Sequence, residues 1–139
     1  MIERVHEHLL AELNKNTTTD TVFIITAILL NLITLGINSG FAAAGNSGNN
    51  TFTILMFVVI ALQIVVNLVV EIGLITGRQT RRKLLAGLMK MYKDQGVDSY
   101  YDSSLLSDYG TRYNLFMLVV LTTGLVALVI PLILRGTLR

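Results

Sequence analysis

The sequence contains no cysteine, a single proline and few charged residues. Without cysteine the chain can form no disulfide, no thiolate metal site and no cysteine nucleophile. Charged side chains make up 14% of the 139 residues and hydrophobic ones 53%, whereas soluble domains carry roughly a quarter charged residues. This scarcity of charge indicates a protein that lies in a lipid bilayer.

Residues that carry catalysis are also scarce. The two histidines, His6 and His8, lie outside every long apolar run, which excludes a haem held by two transmembrane histidines. Ser103 and Ser104 have no histidine or lysine arranged beside them as a base, so the sequence offers no hydrolase triad. It also lacks a glycine-rich phosphate loop. We therefore expect no enzymatic activity, no cofactor and no bound metal.

Three apolar runs dominate the chain, at 22–44, 54–76 and 115–134. Each has about 20 residues or slightly more, enough to cross a hydrocarbon core of roughly 30 Å at 1.5 Å per residue. The first run exceeds the apolar length of a signal peptide, so we expect it to be retained although it ends in small residues, Ala42–Ala44 before Gly45, that resemble a cleavage site. The sequence predicts an all-α integral membrane protein in which residues 1–139 form a single domain with three transmembrane helices.

Two amphipathic helices are predicted outside the three spans. Residues 1–14 place Ile2, Val5, Leu9 and Leu13 on one face, and we expect this helix to lie on the inner membrane surface or against the second loop. The polar segment 14–20 is rich in capping residues, which predicts a break there, with Thr19 or Asp20 capping the first span.

The second amphipathic helix is predicted over 80–93, within the loop 78–113. An apolar side of leucines, Met91 and Tyr92 lies beside basic residues, and Gln95 and Gly96 are expected to end the helix. A basic amphipathic helix of this kind is typical of a segment that lies in the membrane interface.

The distribution of charge predicts the orientation. The first loop and its approach, 38–50, carry no charge, whereas the second loop is basic. The positive-inside rule therefore places the N terminus and second loop in the cytoplasm and the C terminus outside, in the cell (plasma) membrane. We expect the basic residues to contact anionic lipid or an acidic partner rather than nucleic acid, for which no binding fold is present. These residues are Arg78, Arg81, Arg82, Lys83, Lys90 and Lys93.

Polar residues recur on one face of each of the first two spans. The second span carries Gln63, Asn67 and Glu71 at every fourth position, and the first carries Asn31, Thr34 and Asn38 at spacings of three and four. In hydrocarbon such side chains must meet protein or water. They either line an aqueous path, as in channel constrictions, or hydrogen-bond across helices to each other or to Thr122 of the third span.

Glycines add a second contact surface to these spans. Gly36 and Gly40, like Gly73 and Gly77, have the spacing that permits close helix approach. A three-helix hairpin would leave the polar faces poorly covered, so we expect a homo-oligomer or a place in a larger membrane complex.

Two functions are consistent with these features. The first is an oligomeric pore or ion-permeation module lined by the second span, with Glu71 at its inner mouth and Gln63 and Asn67 deeper. The alternative is a non-catalytic structural or anchoring subunit of a larger membrane complex. The pore is favoured by Glu71, because no span contains a cation to pair with it.

Overall fold

The chain folds into three long helices. The computed structural model describes residues 2–45, 48, 50–100 and 104–137. These form α1 (Ile2–Gly45), α2 (Asn50–Asp94) and α3 (Leu105–Thr137), with one 3₁₀ turn at Asp98–Tyr100. Each helix packs against the other two, and all three are long and apolar enough to cross a membrane. The predicted all-α fold with three candidate transmembrane helices is confirmed.

Buried positions recur every seventh residue along each helix. A strip of this period keeps facing the same neighbour when helices cross at a shallow angle, as in coiled coils and many membrane bundles. The centre of the apolar core consists of Ala27, Val70, Leu74 and Val120. The seven-residue series are Leu13, Asp20 and Ala27 in α1, Met56, Gln63, Val70 and Gly77 in α2, and Tyr113, Val120 and Ala127 in α3.

The outer surface of the bundle is apolar where the spans are predicted. Large side chains such as Val22, Ile54 and Leu62 are more than half exposed. A continuous apolar surface of this size is costly in water and is suited to contact with lipid chains. The arrangement is therefore compatible with a membrane protein in which Asn31, Asn38 and Gln63 are buried between the helices.

The first helix is continuous through the segment 14–20, so the predicted break there is wrong. The threonines donate their hydroxyl hydrogen bonds to carbonyls four residues earlier in the same helix, as in Thr17 to Leu13 at 2.9 Å and Thr21 to Thr17 at 2.8 Å. Such bonds satisfy the hydroxyls without ending the helix. The predicted helix 1–14 is thus the first part of α1, apart from Met1, which lies outside the described residues.

The segment 80–93 is helical but is not a separate element. It belongs to α2, which runs unbroken from the predicted second span through Gly77 to Asp94. The segment therefore continues α2 along its axis, so the prediction that it forms a separate helix is wrong. The predicted end at Gln95 and Gly96 is confirmed: Gly96 has φ +69° and its N–H donates to the Lys93 carbonyl at 3.1 Å.

The parts of α1 and α2 beyond the predicted spans pack together. We call this pair of segments, 2–21 and 77–94, the stalk; each is about 27–30 Å long at 1.5 Å per residue. Leu13 and Leu88 are buried in it, and His6 Nε2 lies 3.0 Å from the Tyr92 hydroxyl. Of the two positions expected for the N-terminal helix, contact with the second loop is the one observed. Residues 101–103 of the predicted loop 78–113 lie outside the described residues.

Candidate functional site

Three amides and a threonine meet between the helices; we call Asn31, Gln63, Asn67 and Thr123 the amide cluster. Asn67 Nδ2 donates to Asn31 Oδ1 at 2.8 Å, and Asn31 Nδ2 donates to Asn67 Oδ1 at 3.1 Å. Gln63 Nε2 also donates to Asn31 Oδ1, at 3.3 Å, and Asn31 Nδ2 lies 3.1 Å from Thr123 Oγ1. Asn31 is 2% exposed. One buried side chain of α1 therefore links α2 to α3.

A glycine of α3 makes room for this cluster. The Gln63 Nε2 group lies 3.5 Å from the carbonyl oxygen of Gly124. A Cβ at Gly124 would come within 2.8 Å of Asn67 Oδ1, closer than unbonded carbon and oxygen atoms pack. Gly124 thus lets the backbone of α3 approach the amides of α2.

The other polar residues predicted on the first span differ from Asn31. Thr34 donates to the Leu30 carbonyl of its own helix at 2.8 Å. Asn38 is fully buried, but neither polar atom of its side chain has a partner within the described part of the chain. On the third span, Thr122 bonds to its own helix, so Thr123 provides the contact that was expected from Thr122.

Glu71 lies one helical turn beyond Asn67, towards the stalk. It is half-buried, and its Oε1 is buried with no hydrogen-bond partner among the described residues. Arg78 Nη1 instead donates to Asn114 Oδ1 of α3, at 2.8 Å. The structure therefore places Gln63 and Asn67 together in the amide cluster and leaves Glu71 outside it.

A second polar cluster joins the helices where the predicted spans meet the stalk; we call Asn16, Asp20, Gly77 and Tyr113 the inner cluster. The Tyr113 hydroxyl donates to Asp20 Oδ2. Asn16 Nδ2 donates to the same Asp20 oxygen at 3.0 Å, to the Gly77 carbonyl at 3.3 Å and to the Tyr113 hydroxyl at 3.1 Å. The inner cluster, like the amide cluster, contains a contribution from every helix.

Burial determines the protonation behaviour of Asp20, which lies two residues before the predicted first span. Asp20 is 6% exposed. Burial raises the pKa of its carboxyl above that of an ordinary aspartate, and the Arg81 guanidinium opposes this rise. The folded protein therefore favours the protonated form of Asp20 more than the unfolded chain does.

The polar spacing within the apolar runs does not reveal the inner cluster, because Asn16, Asp20 and Tyr113 lie outside those runs. Asp20 and Tyr113 are 93 residues apart in the sequence. Judged from their neighbours alone, Asp20 is expected to cap a helix and Tyr113 to lie at the membrane interface. The sequence signal that could have identified these two residues is the seven-residue spacing of buried positions. Asp20 lies midway between Leu13 and Ala27 in this series, and Tyr113 lies seven residues before Val120.

The basic residues predicted to contact lipid or a partner divide into two groups on α2. Arg78, Arg81 and Arg82 lie beside the start of α3. Arg81 Nη1 donates to Thr17 Oγ1 at 2.7 Å, and its guanidinium carbon lies 4.4 Å from the centre of the Tyr109 ring. The remaining three, Lys83, Lys90 and Lys93, are exposed on the stalk.

Comparison of the chain with protein-family models, curated proteins and solved structures gives no match. The interpretation therefore depends on the geometry. Among the described residues, no group of three histidine, aspartate or glutamate side chains is placed to hold a metal ion. The amides do not titrate, so the chemistry available to the amide cluster is hydrogen bonding between helices.

Proposed function

We propose that the protein is a non-catalytic structural or anchoring subunit of a membrane complex. The observation that carries this proposal is the amide cluster: Gln63 and Asn67, predicted either to line a pore or to contact other helices, hydrogen-bond to Asn31 inside a single chain. A side chain used in this way holds the helices of one bundle together and is not free to face an aqueous path between copies.

The stalk is the part of the anchor that meets a partner. Its exposed lysines, Lys83, Lys90 and Lys93, give it a positive surface that is complementary to an acidic partner. The positive-inside rule supports a cytoplasmic stalk and N terminus and an outer C terminus; the plasma-membrane location is part of the proposal.

The test is to solubilise the protein from its native membrane in mild detergent and to measure the mass and composition of the particle that contains it. We expect a second polypeptide at fixed stoichiometry, and we expect liposomes containing the purified chain to be impermeable to cations. A homo-oligomer without any partner, or a cation-permeable liposome, would contradict the proposal.

A second candidate function is the oligomeric pore, which is favoured by the environment of Glu71. Its carboxylate lies within an apolar run and has a buried oxygen without a partner in the described part of the chain. If several copies assemble with Glu71 at the inner mouth, Glu71→Gln should change cation selectivity while assembly is retained. The matched control is Thr76→Val, since Thr76 is exposed and bonds to its own helix. Unchanged selectivity would remove Glu71 from the path.

A further inference from the structure

A groove opens between the inner part of α2 and the first turns of α3. Its volume is about 650 Å³, which is within the range of small-molecule sites. The arginines form one wall, and the other is polar, with a tyrosine ring and hydroxyl groups of α3. Its lining includes Arg78, Arg81, Arg82, Ser107, Tyr109 and Thr111.

The groove carries strong positive charge. Three arginines line it, and no aspartate or glutamate is among its described lining residues. Arg78 is held towards α3 by its hydrogen bond to Asn114 at 2.8 Å, and Arg81 is held by Thr17 and the Tyr109 ring. Two of the three guanidinium groups are therefore oriented by the protein before any ligand arrives, which lowers the entropic cost of binding an anion.

The position of the groove indicates where its ligand comes from. Arg78 follows the predicted second span, 54–76, by two residues, and Asn114 immediately precedes the predicted third span, 115–134. The groove thus lies at the level at which lipid headgroups meet the inner ends of the spans. Basic pockets between transmembrane helices on the cytoplasmic side are suited to phosphorylated headgroups.

We propose that this groove binds the phosphate of an anionic phospholipid headgroup. Guanidinium groups match the geometry of phosphate oxygens and make charge-assisted hydrogen bonds to them. The hydroxyl groups of Ser107 and Thr111 supply further donors on the opposite wall. This inference concerns a lipid site and stands independently of whether the stalk holds a protein partner or the protein forms a pore.

The experiment measures binding of short-chain lipids to the full-length protein in neutral detergent by native mass spectrometry. Dioctanoyl phosphatidylglycerol is the anionic probe and dioctanoyl phosphatidylcholine is the zwitterionic comparison. We expect saturable binding of the anionic probe that is about tenfold tighter, and the double variant Arg78→Gln/Arg82→Gln should weaken it by about tenfold or more.

The matched control is Lys83→Gln/Lys90→Gln, which removes the same charge from the same helix outside the groove. We expect this pair to weaken binding by less than about twofold. The single variant Arg82→Gln changes only an exposed side chain, so a loss of binding in this variant is not explained by misfolding. It should weaken binding by about fivefold.

Several results would overturn the proposal. Equal weakening by the arginine and lysine pairs would mean general attraction to a basic surface. An equal affinity for both lipids would exclude recognition of the anionic headgroup. Inorganic phosphate that displaces the lipid at similar concentration would make the groove a site for free phosphate. An acidic peptide that binds there when the lipid does not would assign it to a protein partner.

Discussion

Replacement of Asn31 by leucine should strongly destabilise the bundle. Four hydrogen bonds join the Asn31 side chain to other side chains: two with Asn67, one with Gln63 and one with Thr123. A fifth, at 3.4 Å, reaches the Val120 carbonyl. Interhelical bonds in membrane proteins contribute about 0.6 kcal/mol on average, so the loss of the four side-chain pairs alone costs about 2.4 kcal/mol. Buried donors left without an acceptor add to this. We expect the free energy of unfolding to fall by about 2–4 kcal/mol.

Equilibrium unfolding in mixed micelles, followed by the loss of helical signal, measures this change. Thr34→Val is the matched control, since Thr34 lies one turn away and bonds only to carbonyls of its own helix among the described residues. Its cost should stay below about 0.5 kcal/mol.

A double-mutant cycle tests the mechanism. The double variant Asn31→Leu/Asn67→Leu should lose about 1–2 kcal/mol less unfolding free energy than the sum of the two single losses. Each single variant leaves the other amide of the pair buried without that partner, whereas the double variant removes both amides. Additive costs, or an Asn31→Leu variant as stable as Thr34→Val, would refute the reasoning that the amide cluster holds the helices together.

Two further predictions concern close packing and protonation. Gly124→Ala should lower the free energy of unfolding by about 1–3 kcal/mol, because the new Cβ would collide with Asn67. The control is Gly36→Ala, whose Cβ would have no described atom within 4 Å apart from the helix backbone around it. This control should be neutral or stabilising in the same unfolding assay. Because burial raises the pKa of Asp20, its contribution to stability is complete below the unfolded value of about 3.9 and is lost as pH rises through the folded pKa. Asp20→Asn should therefore flatten the fall in melting temperature that accompanies a rise in pH above about 4. An unchanged slope, or an equal effect of Glu7→Gln at an exposed carboxylate, would contradict this assignment.

Hydrophobic length alone was sufficient to predict the three helices that carry the spans. Polar spacing inside the apolar runs also identified Asn31, Gln63 and Asn67, because a buried amide among aliphatic residues has few acceptable surroundings. The same spacing could not decide whether those amides meet water or one another. That choice depends on how α1 and α2 are rotated towards each other, which periodicity within one helix does not specify.

Local capping signals misled the prediction of helix ends. The threonines around Thr19 favour a break when considered alone, but in the folded chain Asn16 and Asp20 form contacts with α2 and α3 that require the helix to continue. Tertiary hydrogen bonds of this kind outweigh a propensity difference of less than about 1 kcal/mol per residue. One partner of Asp20, Tyr113, lies on α3, so no pattern near Asp20 identifies that partner.

The unbroken passage of α1 and α2 from the spans into the stalk makes each of them a rigid lever. About 20 residues of α1 extend beyond the predicted first span, a length of about 30 Å. A change of about 10° in the tilt of the spans would displace the tip of the stalk by about 5 Å. Helices adjust their tilt to the thickness of the surrounding bilayer. In a bilayer, the stalk would therefore convert a change in membrane thickness into a displacement of its tip.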